Sequence, residues 1–294
     1  MPLTPYLRLL RVGMLFSPAA DVIAGACLVG KPLFSLGGVE RGVLLQGAAA
    51  SVCLYAAGMV LNDHADRETD RKHRPERPIP SGQIGAVTAL VLGMSLLAAG
   101  IVLAPWTAYW AAIAALIVCY NYGAKRLPAA AALNMGALRG MNLLAGCVAL
   151  STPLQRWPTE QYAWIAMAVY AVYIVAVTVL GGYEDDRTVS PRAVVSVQSI
   201  PPLFAPMALL ALPQPVPAAW VGFGCALALA LRARRIGSAW DQAAIRGSMF
   251  WLLLGTMVYT ALLALGCGAW RESLLVLATV PIARWIGRRV SSLT

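Results

Sequence analysis

The chain has 294 residues, 59% hydrophobic and only 12% charged, about half the charged fraction of an ordinary soluble domain. That leaves too few polar side chains to cover a water-soluble globule, and disorder is excluded because it needs low hydrophobicity and high charge. The net charge of +10 belongs to a membrane chain, where Lys and Arg report orientation, so no nucleic-acid partner is expected.

Apolar runs occupy residues 12–30, 42–61, 84–104, 107–123, 131–150, 161–181, 193–212, 216–232, 247–267 and 272–287. Most are close to the roughly 20 residues that cross a bilayer. The last is short and ends in Arg284, Arg288 and Arg289, so it reads either as a tenth span or as an interfacial helix. The fold expected is all-α: a polytopic bundle of nine or ten transmembrane helices around a central cavity, forming one domain over residues 1–294. The first run continues into a full span, so no cleavable signal is expected. With the N-terminus in the cytoplasm, all but four of the 23 Lys and Arg residues (Lys31, Arg41, Arg156 and Arg271) fall in or near inner loops, as the positive-inside rule requires. The setting expected on this reading is a bacterial inner membrane. The six cysteines are scattered without metal-ligand spacing and read as packed thiols.

The acidic residues gather where spans end. Asn62-Asp63-His64-Ala65-Asp66-Arg67-Glu68-Thr69-Asp70 follows the second span. If that helix continues, Asp63, Asp66 and Asp70 stand at i, i+3 and i+7, on one face. Like charges at this spacing repel, so something positive must sit among them. One reading is a solvated loop whose acids are neutralised by Arg67, Arg71, Lys72, Arg74 and Arg77. The other is a Mg²⁺ site, since Mg²⁺ takes oxygen ligands from one or two carboxylates together with substrate phosphates. A second cluster, Tyr183-Glu184-Asp185-Asp186-Arg187, follows the sixth span and emerges on the same side. Together the two could hold two metals around a diphosphate. His64 and His73 read as solvated.

Here the sequence resembles the UbiA superfamily of membrane prenyltransferases. Asn62-Asp63-x-x-Asp66-x-x-x-Asp70 matches that family's first aspartate-rich motif, and Tyr120-Asn121-Tyr122-Gly123-Ala124-Lys125-Arg126 looks like its diphosphate-approaching segment. The stretches Arg74–Gly82 and Met135–Leu144 look more like the UbiA-like EboC branch. The family's second motif opens with an Asp several residues earlier, where this chain has Val179 to Gly182. Its acids are compressed to Glu184, Asp185 and Asp186.

The resemblance implies Mg²⁺-dependent transfer of a prenyl group from an isoprenyl diphosphate to a lipophilic acceptor, expected to be aromatic or quinone-like. It casts Asp63, Asp66, Asp70, Glu184, Asp185 and Asp186 as metal ligands, with Asp63, Asp66, Asp70 and Asp186 catalytic through the leaving group's charge. Asn62, Arg67, Tyr120, Lys125, Arg126 and Arg139 are the expected substrate contacts around the diphosphate. Asp21, inside the first span, is costly there; it is explained either by a partner such as Arg139 or Asn142, or by contact with the acceptor. Arg139 and Asn142, one turn apart, carry the same two readings, a structural pairing or a substrate contact.

Three other functions were open to such a chain. A CDP-alcohol phosphotransferase needs an Asp-Gly/Ala-Arg signature that does not occur here. A transporter places ionisable groups at mid-bilayer, and Asp21 alone favours that. A catalytically divergent UbiA-like protein that binds or moves an isoprenoid without transferring it is the remaining alternative.

Overall fold

The computed structural model describes residues 3–150, 157–184, 186, 188–233 and 241–291; Arg156, Asp185 and Arg187 lie outside them. Among the described residues the chain is helical: α1 (Thr4–Leu9), α2 (Phe16–Cys27), α3 (Gly38–Ala65), α4 (Arg67–His73), α5 (Ala86–Leu103), α6 (Thr107–Tyr122), α7 (Pro128–Ala149), α8 (Gln161–Gly182), α9 (Pro191–Leu209), α10 (Pro215–Ala233), α11 (Gln242–Gly266) and α12 (Trp270–Ser291). Each apolar run after the first is matched by one helix. In lipid every backbone polar group must be satisfied within the segment, so long apolar runs have little choice but to coil. Among the described residues four helices, α3, α5, α8 and α11, are long and apolar enough to cross a membrane by length and composition.

Two elements differ from the runs in an informative way. The run 12–30 does not form one helix: Arg11 adopts φ 49°, ψ 51°, a 3-10 turn covers Val12–Met14, and α2 begins only at Phe16. The break lets Gly13 sit against the backbone of α12 at Ala283 and Gly287. In contrast, α3 has 28 residues, about 42 Å at 1.5 Å per residue, and so overshoots a hydrocarbon core of about 30 Å. The polar residues Asn62 and Asp63 stand in the last turn of this overlong helix.

Packing relies on small residues. Gly93 and Gly100 of α5 face Leu61 and Leu54 of α3, while Val87, Val91, Met94 and Val102 of α5 are exposed and meet lipid. Gly25 of α2 and Gly146 of α7 bring two backbones together: a Cβ at Gly25 would overlap the Leu143 carbonyl, and one at Gly146 the Val22 carbonyl. Such close approach is how membrane helices gain contact without a hydrophobic drive between them. Gly146→Val is therefore expected to destabilise the detergent-purified protein by at least about 1–3 kcal/mol, the range for overpacked cores. Gly42→Ala, facing open space, should leave the melting temperature unchanged in the same experiment.

An apolar cavity of about 370 Å³ lies among α8, α9, α10 and α11, lined by residues including Tyr173, Pro206, Leu209, Gly222, Trp251 and Tyr259. Pro201, Pro202 and Pro206 lie inside α9. Each lacks a backbone donor, and Pro202 and Pro206 line the cavity.

Candidate functional site at the acidic end of the bundle

The helical ladder does not stop at Ala65. The Asp66 N–H donates to the Asn62 carbonyl at 2.9 Å and the Asp70 N–H to the Asp66 carbonyl at 2.8 Å. Asn62 and Asp63, then Asp66, then Asp70 therefore stand on three successive turns of what is nearly one helix. Pro75 disfavours helical geometry at Arg74, which adopts φ −145°. The chain then folds back through Gly82 (φ 77°), with Ile79 and Ile84 buried against Leu9, Val60 and Ala89. That hairpin returns Arg77 to the acids.

The result is an alternating row of charges. Arg11 Nη2 donates to Asp63 Oδ1 at 3.0 Å. Arg77 Nη1 reaches Asp63 Oδ1 at 3.4 Å and Asp70 Oδ2 at 2.6 Å. Arg74 spans the two acidic clusters, with Nη1 3.9 Å from Asp70 Oδ1 and Nη2 3.8 Å from Glu184 Oε1. Arg246, at the start of α11, donates Nε and Nη2 to Glu184 Oε1 at 2.9 and 2.7 Å. The order is Arg11–Asp63–Arg77–Asp70–Arg74–Glu184–Arg246. Beside it, Lys125 pairs with Asp66 at 2.5 Å and reaches Asn62 Oδ1 at 3.4 Å. Asp63, Asp70 and Glu184 are buried, so their charge is stable only with these partners.

The remaining expected site residues divide. Tyr120 is half-buried at the end of α6 and Arg126 is exposed. Arg67 turns away, donating to the His64 carbonyl at 2.9 Å and pairing with Glu68 at 3.7 Å. Asp186 is exposed and its Oδ1 accepts from the Thr188 N–H at 2.9 Å and the Thr188 hydroxyl at 2.6 Å. Those bonds hold its carboxyl below the usual carboxylate range and point it into its own turn. Asp185 is outside the described residues. Arg11 and Arg246 were not singled out from sequence; the unbalanced negative face was the only signal for them.

Asp21, Arg139 and Asn142 form a second polar group, deep in the bundle. Arg139 Nη1 lies 3.2 Å from Asp21 Oδ2, and Arg139 Nη2 donates to the Tyr170 hydroxyl at 2.7 Å and to Ser17 Oγ at 2.5 Å. The Asn142 amide donates to Asp21 Oδ2 at 2.8 Å, and the Tyr170 hydroxyl to Asp21 Oδ1 at 2.9 Å. The Ser51 hydroxyl donates to Asn142 Oδ1 at 2.5 Å, and Ser17 shares a bond with Thr256 at 3.3 Å. These residues contact one another rather than the acidic end. Of the two readings open for Arg139, the structure shows the pairing with Asp21, which offsets the cost of an isolated carboxylate at that depth.

Among the described residues the chain is thus an all-helical bundle in which the Asp63–Asp70 and Glu184 segments come together at one end through Arg74. The sequence matches the UbiA prenyltransferase family over residues 22–294, and the chain belongs to that family. It is 39% identical over 123 residues to digeranylgeranylglyceryl phosphate synthase of Ignicoccus hospitalis, covering 40% of this chain and 38% of that protein. It is 34% identical over 146 residues to the synthase of Methanothrix thermoacetophila, covering 46% of this chain and 52% of that one. In both cases the match spans about half of the relative's length or less. Its fold is similar to that of a UbiA homolog from Archaeoglobus fulgidus bound to GPP and Mg²⁺, with TM-score 0.59, 13% identity, and coverage of 88% of this chain and 99% of that one. A solved digeranylgeranylglyceryl phosphate synthase is similar at TM-score 0.59 and 17% identity, over 90% and 98% of the two chains. The named relatives are archaeal; they lend no support to the EboC-like branch or to a bacterial membrane.

Proposed function

We propose that this chain is a Mg²⁺-dependent membrane prenyltransferase that releases diphosphate from an isoprenyl diphosphate and joins the prenyl group to a lipophilic acceptor. The observation that carries the reading is Arg77 Nη1 touching both Asp63 and Asp70. A single cation already stands between two buried carboxylates, and hard oxygen donors of this kind suit Mg²⁺, although among the described residues no three acids stand close enough together to hold a metal without moving. When bound there, Mg²⁺ would supply positive charge to the departing diphosphate. Asp63, Asp66 and Asp70 would hold it, while the guanidinium groups it displaces, with Lys125 and Arg126, would turn their donors to phosphate oxygens. Asn62 would orient Lys125, with which it already shares a hydrogen bond. The cavity among α8–α11 offers apolar room for a prenyl tail.

The relatives are named for making digeranylgeranylglyceryl phosphate, which favours an isoprenoid glyceryl phosphate as acceptor over the aromatic or quinone-like one expected from sequence. In a cell the acidic end faces the cytoplasm on this reading, where the diphosphate is soluble. A second reading, a divergent member that binds an isoprenoid without transferring it, is favoured by the outward turn of Asp186.

Mass spectrometry of lipids from cells with and without the protein tests the assignment, with Asp63→Ala as control. A prenylated species present only with the unaltered chain is expected, and its mass gives acceptor and tail together. No new species, combined with thermal stabilisation of the purified protein by geranylgeranyl diphosphate and Mg²⁺, would instead establish the binding role.

A further inference from the structure

The apolar cavity ends beside a cation. Trp251 of α11 and Val280 of α12 both line it. Arg284, one turn beyond Val280, lays its guanidinium 5.3 Å from the centre of the Trp251 ring, within reach of a cation–π contact. Arg284 is half-buried, and among the described residues it has neither an ion pair nor a hydrogen bond. Near its start α11 carries Arg246, bonded to Glu184 of the charged row, and Trp251 follows five residues on, about 7.5 Å of rise. Trp251 is the first α11 residue in the cavity wall, so Arg284 marks the rim on the side of that row. Deeper in, the wall is a hydrocarbon surface: among the described residues no charged side chain lines it. Its two tyrosines spend their hydroxyl protons on the backbone, Tyr173 on the Leu252 carbonyl at 2.6 Å and Tyr259 on the Ala166 carbonyl at 3.0 Å.

We infer that the cavity and Arg284 together form the site of the acceptor lipid: its hydrocarbon tail fills the space among α8–α11 and its phosphate meets the Arg284 guanidinium. This rests on the prenyltransferase reading and adds to it which of the two lipids the cavity takes. That reading needs two anionic headgroups, a diphosphate on the donor and a glyceryl phosphate on the acceptor. The donor's belongs with Asp63 and Asp70, and no ion pair or hydrogen bond joins Arg284 to their row. Its charge is left for the second headgroup. Stacking on Trp251 occupies only the face of the guanidinium; the donors along its edge stay available for paired hydrogen bonds to phosphate oxygens. A volume of about 370 Å³ is in the range of apolar ligand pockets oriented by a few polar groups. With both tyrosine protons committed, the wall has no strong donor for the oxygens of an aromatic or quinone-like acceptor, and a saturated or prenyl chain loses nothing there.

Equilibrium binding to the whole chain in detergent tests this with two labelled lipids, geranylgeranylglyceryl phosphate and, in Mg²⁺, geranylgeranyl diphosphate. Arg284→Gln is expected to weaken the first about tenfold, as for loss of hydrogen bonds to a charged group, and to leave the second unchanged. Arg284→Lys keeps the charge, loses the fork and should fall in between. Ala226→Phe fills the cavity and should also weaken the glyceryl phosphate lipid alone; Cys225→Leu, on the same wall, does so with less added bulk should the first variant not fold. An equal loss of geranylgeranyl diphosphate in the cavity variants would give the space to the donor's tail, ending this inference while the prenyltransferase reading stands. Displacement of the labelled glyceryl phosphate by equimolar phosphatidylglycerol would do the same, by making this a general phospholipid site. Unaltered affinity for the glyceryl phosphate in a folded Arg284→Gln would remove the headgroup from Arg284. If the unaltered chain bound neither lipid, both readings would fall.

Discussion

On the proposed function, Asp63→Asn is expected to lower Mg²⁺-dependent diphosphate release by at least about a hundredfold, with the protein still accumulating in the membrane. Asp63 is 5% exposed and lies between Arg11 and Arg77. The amide keeps the shape and removes the charge. On the same reading, a Mg²⁺ held there would face the guanidinium groups with one carboxylate fewer to offset them, and its share of transition-state stabilisation would be lost. Removing one preorganised stabiliser of developing charge typically costs about 10²–10³ in rate. The variant should also need at least about tenfold more Mg²⁺ for half-maximal rate, a change that mere loosening of the fold would not produce. Glu68→Gln is the control: Glu68 is exposed and pairs only outward, with Arg71 at 2.8 Å and Arg67 at 3.7 Å. A colorimetric diphosphate assay on both variants, with melting temperatures in parallel, reads the result. Undiminished turnover in Asp63→Asn would remove the metal from this site.

The helices were legible because lipid allows the backbone few alternatives, and hydropathy reports exactly that constraint. It is blind to backbone dihedrals, so the left-handed Arg11 and the late start of α2 had no counterpart in the run 12–30. The shared face of Asp63, Asp66 and Asp70 follows from helical spacing alone. Their partners do not: Arg11 is 52 residues from Asp63, and Arg246 is 62 from Glu184, separations over which no periodicity operates. The need for positive charge could be read; its source could not. Asp186 is the opposite case, since Asp-x-Thr is a local turn signal that its acidic neighbours masked. Asp21 announced its need for a partner, and Arg139 and Asn142 were available. Tyr170 was hidden because an aromatic ring in an apolar run reads as packing, and only the structure brings its hydroxyl to Asp21.

Breaking that interior pair should have the largest effect on stability. Asp21 and Arg139 are fully or nearly buried, and their network joins α2, α3, α7, α8 and α11 through Ser17, Ser51, Asn142, Tyr170 and Thr256. Removing one member of a buried pair strands the other charge, at about 3–5 kcal/mol. Asp21→Ala and Arg139→Met are each expected to lower the unfolding free energy by that amount, read by denaturation in mixed micelles. The double variant removes both charges and should be less destabilised than the sum of the singles by at least about 2 kcal/mol, because the stranded charge is gone. Strict additivity would mean the two groups do not sense each other. Ser51, the α3 member of the network, lies twelve residues before Asp63, about 18 Å along that helix. A folded double variant should therefore keep diphosphate release within a few-fold of the unaltered chain. A collapse of turnover without loss of stability would move Asp21 and Arg139 from the scaffold to the substrate.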